Sequence, residues 1–329
     1  MLSDSINESS KQFTKDGKLR HLVTLENVGK KILKNLLYEA QDYTQSKSLP
    51  DSIISHNQMH TIANLFFEPS TRTRASFEIA AKRLGFNVIN FDIDNSSERK
   101  GETVLDTVMT LKSLGVNTLV IRHKEIGIHS QLIDEIGNEC IIINAGEGHV
   151  SHPTQGLLDL LTIQQKKESF KNLIVTIVGD IAHSRVARST AQGLTTMGVK
   201  ELRLVSPKEF IPTRRLTPIS EHFTNLDEGL QDADVVMALR IQHERIESTN
   251  EINLDNYIKN YRITHKAMKL AKPDAIIMHP GPMNRDIEIE SSLADGEQSV
   301  IFRQVANGVA VRMALLSQLT KNSEHDELK

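Results

Sequence analysis

One stretch decides the fold class: IANLFFEPSTRTRASFEIAAKRLG, residues 62–85. Its first residues, 62–67, form a short apolar run that is typical of a buried β-strand. Apolar residues then recur at helical spacing up to a glycine stop: Phe77, Ala80, Ala81, Leu84 and Gly85. A strand followed directly by a helix is the repeating unit of a parallel α/β sheet.

The same strand-then-helix pattern repeats along the chain in two series. The first series predicts further strands at residues 88–91, 118–121 and 141–144. The second begins after the charged run 164–168 and predicts strands at residues 173–178, 202–205, 235–239 and 275–278, with a last helix at 305–319. Two such series predict an α/β protein with two doubly wound parallel-sheet domains and an active site in the cleft between them.

The predicted organisation has three parts. With 329 residues, two domains are expected. We predict a mobile N-terminal extension at residues 1–18 and a first domain at 19–163, completed by a C-terminal helix at 304–329. The second domain takes residues 164–303.

Composition argues against several classes of protein. A formal net charge of −3 gives no reason to expect a nucleic-acid partner or an anionic membrane. The only cysteine, Cys140, excludes an internal disulfide and a cysteine-rich metal site. No apolar stretch approaches the ~20 residues that span a bilayer, and residues 1–18 are polar. We therefore predict a cytoplasmic protein without metal or cofactor.

Charged and polar side chains follow the predicted strands. Ligands of open parallel sheets bind beyond the carboxyl ends of the strands. Several arginines and two histidines at such ends predict a strongly anionic ligand. The charged and polar residues that follow the predicted strands are Ser70, Thr71, Arg72, Arg122, His152, Asp180, Arg185, Arg240 and His279.

The turn before the first helix has the chemistry of a phosphate site. A helix start offers free backbone N–H groups and the positive end of the macrodipole. Ser70, Thr71 and Thr73 add hydroxyl donors, and Arg72 can bind a phosphate through two parallel hydrogen bonds. The alternative is an ordinary helix that Ser70 caps, with its arginines in water.

Six motifs in this order are similar to those of the aspartate and ornithine carbamoyltransferases. They are EPSTRTR at 68–74, RH at 122–123, HPTQ at 152–155, GD at 179–180 with Arg185, RIQ at 240–242 and HPGP at 279–282. The resemblance covers about residues 20 to 320 and implies a carbamoyltransferase that uses carbamoyl phosphate.

The resemblance favours aspartate as the second substrate. Ornithine enzymes typically carry cysteines where Thr154 and Pro280 stand here. Arg240 and Gln242 suit a carboxylate, and an arginine would repel the ammonium group of ornithine. Ornithine or another amino acid remains the alternative. The chain departs from many relatives at Gly281, which replaces a leucine and predicts a looser loop.

The resemblance also implies a role for each motif residue. It implies that Ser70, Thr71, Arg72 and Thr73 bind the phosphate of carbamoyl phosphate. It also implies that Thr73, Arg122 and His152 bind the carbonyl oxygen of the carbamoyl group. The catalytic set is therefore Arg72, Thr73, Arg122 and His152. The carbamoyl amine is assigned to Gln155 and the carbonyls of Pro280 and Gly281. L-aspartate is assigned to Lys100, Arg185, Arg240 and Gln242.

Family members share their active sites between subunits. The resemblance implies that Ser96 and Lys100 reach the active site of a neighbouring subunit, so a homotrimer is the expected minimum assembly. Whether regulatory chains or a dihydroorotase join a larger assembly stays open.

A different class of function is a non-catalytic nucleotide-binding or regulatory module. Residues 174–180 resemble the first strand of a dinucleotide-binding fold. The sequence GDIAHS at 179–184, however, lacks the G-x-G-x-x-G pattern that seats a pyrophosphate.

Overall fold

Two all-parallel sheets organise the chain, as the alternating pattern predicts. The computed structural model describes residues 10–46, 49–91, 102–241 and 253–327. Contacts divide the chain into unit 1, residues 1–157 with 307–329, and unit 2, residues 158–306. Both boundaries fall inside helices, α6 (Pro153–Lys167) and α12 (Ile301–Glu327), as do the boundaries at 163/164 and 303/304 that the sequence predicts.

Unit 1 contains a four-stranded sheet in the order β2-β1-β3-β4. Its other elements precede α6, and α12 completes it. In chain order they are α1 (Lys30–Gln45), α2 (Asp51–Asn57), β1 (Thr61–Phe66), α3 (Thr71–Leu84), β2 (Asn87–Phe91), α4 (Val104–Ser113), β3 (Thr118–His123), α5 (Ile128–Ile136) and β4 (Ile141–Glu147).

Local sequence explains the ends of these helices. Helix α3 stops at Gly85, which adopts φ +88; a side chain there would approach the carbonyl oxygen of Ile54 to 2.6 Å. Helix α4 begins at a capping box in which Thr103 and Asp106 satisfy each other's backbone N–H groups. Both helices pack apolar faces on the sheet, with Phe77 and Val108 fully buried.

Unit 2 contains a five-stranded sheet in the order β7-β6-β5-β8-β9. Beyond α6 it comprises β5 (Ile174–Val178), α7 (Arg185–Met197), β6 (Glu201–Val205), β7 (Ser220–Phe223), α8 (Leu226–Leu230), β8 (Val235–Ala238), α9 (Leu254–Tyr261), α10 (His265–Met268), β9 (Ile276–Met278), α11 (Ser291–Ala294) and the start of α12.

Two features differ from the sequence expectations. Strand β7 at the sheet edge was not predicted, because Glu221 and His222 interrupt the apolar alternation that marks a strand. Residues 10–18, expected to be mobile, pack onto unit 1 where the structure describes them. The Gln12 side chain is fully buried and accepts hydrogen bonds from the backbone N–H groups of Val23 and Thr24.

Candidate active site

Three adjacent strands of unit 1 end beside one another. β1 pairs with β3 and β3 pairs with β4, all in parallel, so their carboxyl ends share one edge of the sheet. The backbone N–H of Phe67 donates to the carbonyl of Arg122 at 2.9 Å just beyond the β1–β3 pairing. The structure therefore brings together the loop before Ser70, the end of β3 at Arg122, and β4, which leads to His152.

The helix that follows β1 begins at Ser70. Ser70 is its N-cap, but the hydroxyl makes no capping hydrogen bond, and the first turn holds no acidic residue. Thr71 and Arg72 are exposed, whereas Thr73 is buried. Ser70 thus takes the position of an ordinary cap without using its hydroxyl as one.

Arg122 lies near the carboxylate of Glu68, which belongs to the EPSTRTR motif. Its Nε is 3.3 Å from Oε2 of Glu68, and its Nη1 is 3.5 Å from the carbonyl oxygen of Ala145 on β4. The side chain is 14% exposed, so its charge is only partly screened by water. Arg122 is the next-to-last residue of β3 and so lies within the strand, whereas the sequence predicts it directly after a strand at 118–121.

The HPTQ motif starts helix α6. Pro153 is the first helical residue, a position where its missing N–H costs nothing. His152 and Gln155 are both buried.

A buried Glu147–Asn144 contact stabilises the turn before this helix. Glu147 Oε2 accepts from the Asn144 amide at 3.1 Å, and Ser151 donates its hydroxyl to the carbonyl of Val23 at 3.0 Å.

Arg312 is a buried cation that the sequence analysis did not single out. It donates through Nη2 to the hydroxyl of Thr154 at 3.2 Å, and its guanidinium carbon lies 4.7 Å from the ring centroid of Phe77. Burial lowers the pKa of Arg312 to about 9, so the group stays charged at neutral pH. An arginine within the apolar run at 309–316 was the available signal. Arg312 thus connects α12 to the helices that carry the STRTR and HPTQ motifs.

Three adjacent strands of unit 2 also end beside one another. β5 pairs with β8 and β8 pairs with β9, again in parallel. Gly179 follows β5 at φ +135, and a side chain there would approach Leu239 to 2.9 Å. Glycine therefore permits the close approach of the segments that precede Arg185 and Arg240.

The loop after β5 is fixed by local hydrogen bonds. Asp180, which is buried, accepts from the backbone N–H of His183 at 3.1 Å and contacts its ring nitrogen at 2.9 Å. Ser184 caps α7 through the N–H of Ala187. Arg185 is the first residue of that helix and is half-buried.

The HPGP motif follows β9 and forms a tight turn. His279 accepts a hydrogen bond at Nδ1 from the N–H of Gly281 at 2.8 Å, so this histidine helps to shape the turn. Gly281 adopts φ +66, a left-handed conformation that favours glycine over the leucine of many relatives. The peptide bond between Gly281 and Pro282 is cis.

Three predicted site residues lie outside the described residues: Ser96, Lys100 and Gln242. Within the described ranges, no group of three or more His, Cys, Asp and Glu side chains is placed to hold a metal ion. No helix in the same ranges is both long and apolar enough to cross a membrane.

Fold and site together define an α/β protein that presents arginines, hydroxyls and helix amino termini at the carboxyl ends of parallel strands. Two family models match the chain. The aspartate/ornithine carbamoyltransferase carbamoyl-P binding domain matches residues 20–165, and the Asp/Orn binding domain of the same family matches residues 171–319. The chain belongs to the aspartate/ornithine carbamoyltransferase family.

Relatives agree with this assignment. The aspartate carbamoyltransferase catalytic subunit of Ruthia magnifica subsp. Calyptogena magnifica is 46% identical over 321 residues, covering 95% of this chain and 97% of the relative. Aspartate transcarbamoylase from Trypanosoma cruzi is similar in structure, with a TM-score of 0.82 and 31% identity over 92% of this chain and 97% of that one. Ornithine carbamoyltransferase from Pyrococcus furiosus has a TM-score of 0.78 and 25% identity over 91% and 96%.

Proposed function

We propose that this protein transfers the carbamoyl group of carbamoyl phosphate to the α-amine of L-aspartate, giving N-carbamoyl-L-aspartate and phosphate. One observation carries the proposal: the similar Trypanosoma cruzi enzyme has been crystallised with carbamoyl phosphate and aspartate bound. The reaction is an early step of pyrimidine biosynthesis, and a cytoplasmic location stays a prediction.

In this proposal unit 1 binds carbamoyl phosphate. Ser70, Thr71, Arg72 and Thr73 take the phosphate at the amino end of α3. Three features support this role: the Ser70 hydroxyl makes no capping hydrogen bond, the first turn has no acidic residue, and Arg72 is exposed. Each favours an anion at a helix start.

The carbonyl oxygen of the carbamoyl group is assigned to Thr73, Arg122 and His152. Attack by the amine places a negative charge on this oxygen, and fixed donors that meet the charge lower the barrier. The burial of Thr73 and His152 supports the assignment, since electrostatic interactions strengthen away from water. The departing phosphate can accept the amine proton, so we assign no general base.

Unit 2 is proposed to bind aspartate through Arg185, Arg240 and Gln242, with Lys100 contributed by a neighbouring subunit. An arginine fork matches a carboxylate in geometry and charge. The carbonyls of Pro280 and Gly281 are assigned to the carbamoyl amine, together with Gln155. Support comes from the adjacency of β5, β8 and β9, whose ends carry these motifs.

We propose a homotrimer in which Ser96 and Lys100 complete the neighbour's site. β2 is an edge strand of the unit 1 sheet, and residues 92–101 follow it directly in the chain. Ile89 on β2 and Ile79 on α3 are 38% and 43% exposed. Exposed apolar side chains beside a sheet edge are consistent with a covering subunit.

Two rival functions remain open to test. Similarity to the Pyrococcus furiosus ornithine enzyme makes ornithine the first alternative substrate. Arg240 disfavours it, because a cationic side chain repels ornithine's ammonium group. A non-catalytic nucleotide-binding module is the second rival.

The deciding experiment is a product assay on the purified full chain. Carbamoyl phosphate is offered with aspartate, ornithine and other amino acids in parallel, and carbamoyl products and phosphate are quantified. Aspartate should be preferred. Product formed only with ornithine would show that the protein is an ornithine carbamoyltransferase. Nucleotide binding without phosphate release would support a non-catalytic nucleotide-binding module. Mass measurement in the same buffer reports the assembly.

A further inference from the structure

A single buried carboxylate links two segments of unit 2. Glu288 is 1% exposed. Its Oε1 accepts from the backbone N–H of Ile241 at 2.9 Å and from the Asn284 amide at 2.8 Å. Its Oε2 accepts from the backbone N–H of Asn284 at 2.7 Å. Glu288 thus holds the residue after Arg240 and the loop after Pro280 at the same time.

Asn284 completes the connection from the other side. Its side-chain amide nitrogen carries two hydrogens. One is donated to Glu288, and the other is donated to the carbonyl oxygen of Ile241 at 3.1 Å. The N–H and the C=O of Ile241 are therefore both bonded within this cluster. The backbone that carries Arg240 is held on its carboxyl side.

The hydrogen-bonded cluster of Glu288, Asn284 and Ile241 lies beyond the end of the strand pairing. The pairing of β8 with β9 extends only to Met237 and Met278. Backbone groups buried beyond a ladder need other partners, and an unsatisfied one costs roughly 1–3 kcal/mol. Ile241 is fully buried, so the Glu288 carboxylate and the Asn284 amide replace the missing strand partner.

His279 extends the cluster to the HPGP turn. Its Nδ1 accepts from Gly281, so a neutral ring carries its proton on Nε2. That nitrogen lies 3.8 Å from Oε2 of Glu288. The carboxylate therefore faces the ring that shapes the turn at Pro280 and Gly281.

We propose that Glu288 is a positioning residue that sets the geometry of Arg240 and of the Pro280–Gly281 carbonyls. It acts through Ile241, Asn284 and His279 and contacts neither substrate. The inference rests on the proposed function, because it assumes that Arg240 binds aspartate. Without the carboxylate, Arg240 and the carbonyls of Pro280 and Gly281 lose the contacts that position them, while the residues of unit 1 that are proposed to bind phosphate are unaffected.

The test is Glu288→Gln in the full chain, with steady-state constants for both substrates. Glutamine replaces one acceptor oxygen by an NH2 group that faces an N–H donor. We expect the KM for aspartate to rise at least tenfold and kcat to fall at least tenfold. The KM for carbamoyl phosphate should rise less, because the Pro280 and Gly281 carbonyls hold only its amine while unit 1 residues hold its phosphate. Asn284→Ala breaks the same cluster and should shift the same constants. The double variant should then add little, because both changes remove one unit.

Asp234→Asn is the matched control. Asp234 precedes β8 at its amino end, is 6% exposed, and accepts from the backbone N–H of Ile174 at 2.9 Å. It is a buried carboxylate that anchors backbone at the opposite end of the same strand. Its substitution should lower thermal stability and leave both KM values unchanged.

The outcomes separate the two proposals. A wild-type chain that forms no carbamoylaspartate refutes the proposed function. An active wild type with unchanged constants in folded Glu288→Gln refutes the positioning role. If Glu288→Gln does not fold, Asn284→Ala decides: a selective rise in the KM for aspartate supports the inference, and unchanged constants overturn it.

Discussion

The Nε of Arg122 lies 3.3 Å from a carboxylate oxygen of Glu68, two residues before Ser70. Arg122, which is proposed to stabilise an oxyanion, thus contacts a negative charge from the loop between β1 and α3. The two side chains are 14% and 26% exposed, so water screens their interaction only in part. An anionic ligand of unit 1 has to compete with this internal carboxylate for Arg122.

Removing the Glu68 charge should strengthen anion binding. We expect Glu68→Gln to bind inorganic phosphate about two- to fivefold more tightly, the size of one partly exposed ion pair. Calorimetric titration measures the change. Glu78→Gln is the control, because it removes a charge that pairs with Lys82 at 2.6 Å on the outside of α3. Equal gains in both variants would point to net charge and not to the Arg122 contact.

Arg72 should matter for catalysis and little for folding. Arg72→Ala is expected to lose about 2–4 kcal/mol of transition-state stabilisation, as for removal of a preorganised charged donor. The side chain is exposed, so the melting temperature should stay within about 2 °C. Rate constants and thermal melts are compared with Arg83→Ala, an exposed arginine in the last turn of the same helix. Near-normal activity of Arg72→Ala would disprove the phosphate assignment.

Arg240 should distinguish the two substrates. Arg240→Ala is expected to raise the KM for aspartate at least about tenfold, because a charge-assisted hydrogen bond contributes ~1.5–3 kcal/mol. The KM for carbamoyl phosphate should change little, since the residues that are proposed to bind its phosphate belong to unit 1. Arg203→Ala on β6 serves as the control; that arginine is bonded to Glu201 at 2.8 Å. An equal loss for both substrates contradicts a specific role in aspartate binding.

The shared site predicts complementation between inactive proteins. Lys100→Ala and Arg72→Ala should each be nearly inactive, yet mixing them under subunit exchange should restore activity. Each hybrid ring then contains one site with both groups, so an equal mixture approaches about a quarter of wild-type activity. Native mass measurement confirms the hybrids. An inactive mixture that contains hybrids places Lys100 within its own chain's site.

His21 should make the stability of the fold depend on pH. The side chain is fully buried and accepts at Nδ1 from the N–H of Ile142 at 3.0 Å. Burial, reinforced by the charge of Arg20, lowers the pKa of His21 from 6.5 to about 3. The unfolded chain therefore binds a proton that the folded chain excludes as the pH falls from about 6.5 to 3.

Over that window the free energy of unfolding should decrease by up to about 1.4 kcal/mol per pH unit from this residue. Denaturant melts at several pH values measure the slope. His21→Asn keeps an acceptor but does not titrate, so its slope should be smaller by that amount. Identical slopes in the two proteins would show that His21 does not control the acid sensitivity.

The sequence determined by itself the alternation of strands and helices and the six motifs at the strand ends. Strand β5 and helix α3 were predicted within one or a few residues because their apolar periodicity and glycine stops are local signals. Edge strand β7 escaped prediction because it has no such periodicity.

Only the tertiary structure decided which strand ends lie side by side. The sheet orders placed β1, β3 and β4 together in one unit and β5, β8 and β9 together in the other. It also revealed Glu288 and Arg312, whose partners are 47 and 158 residues away in the chain. A buried charge acquires its role from groups that reach it through folding, and the local pattern of residues around it does not encode those groups.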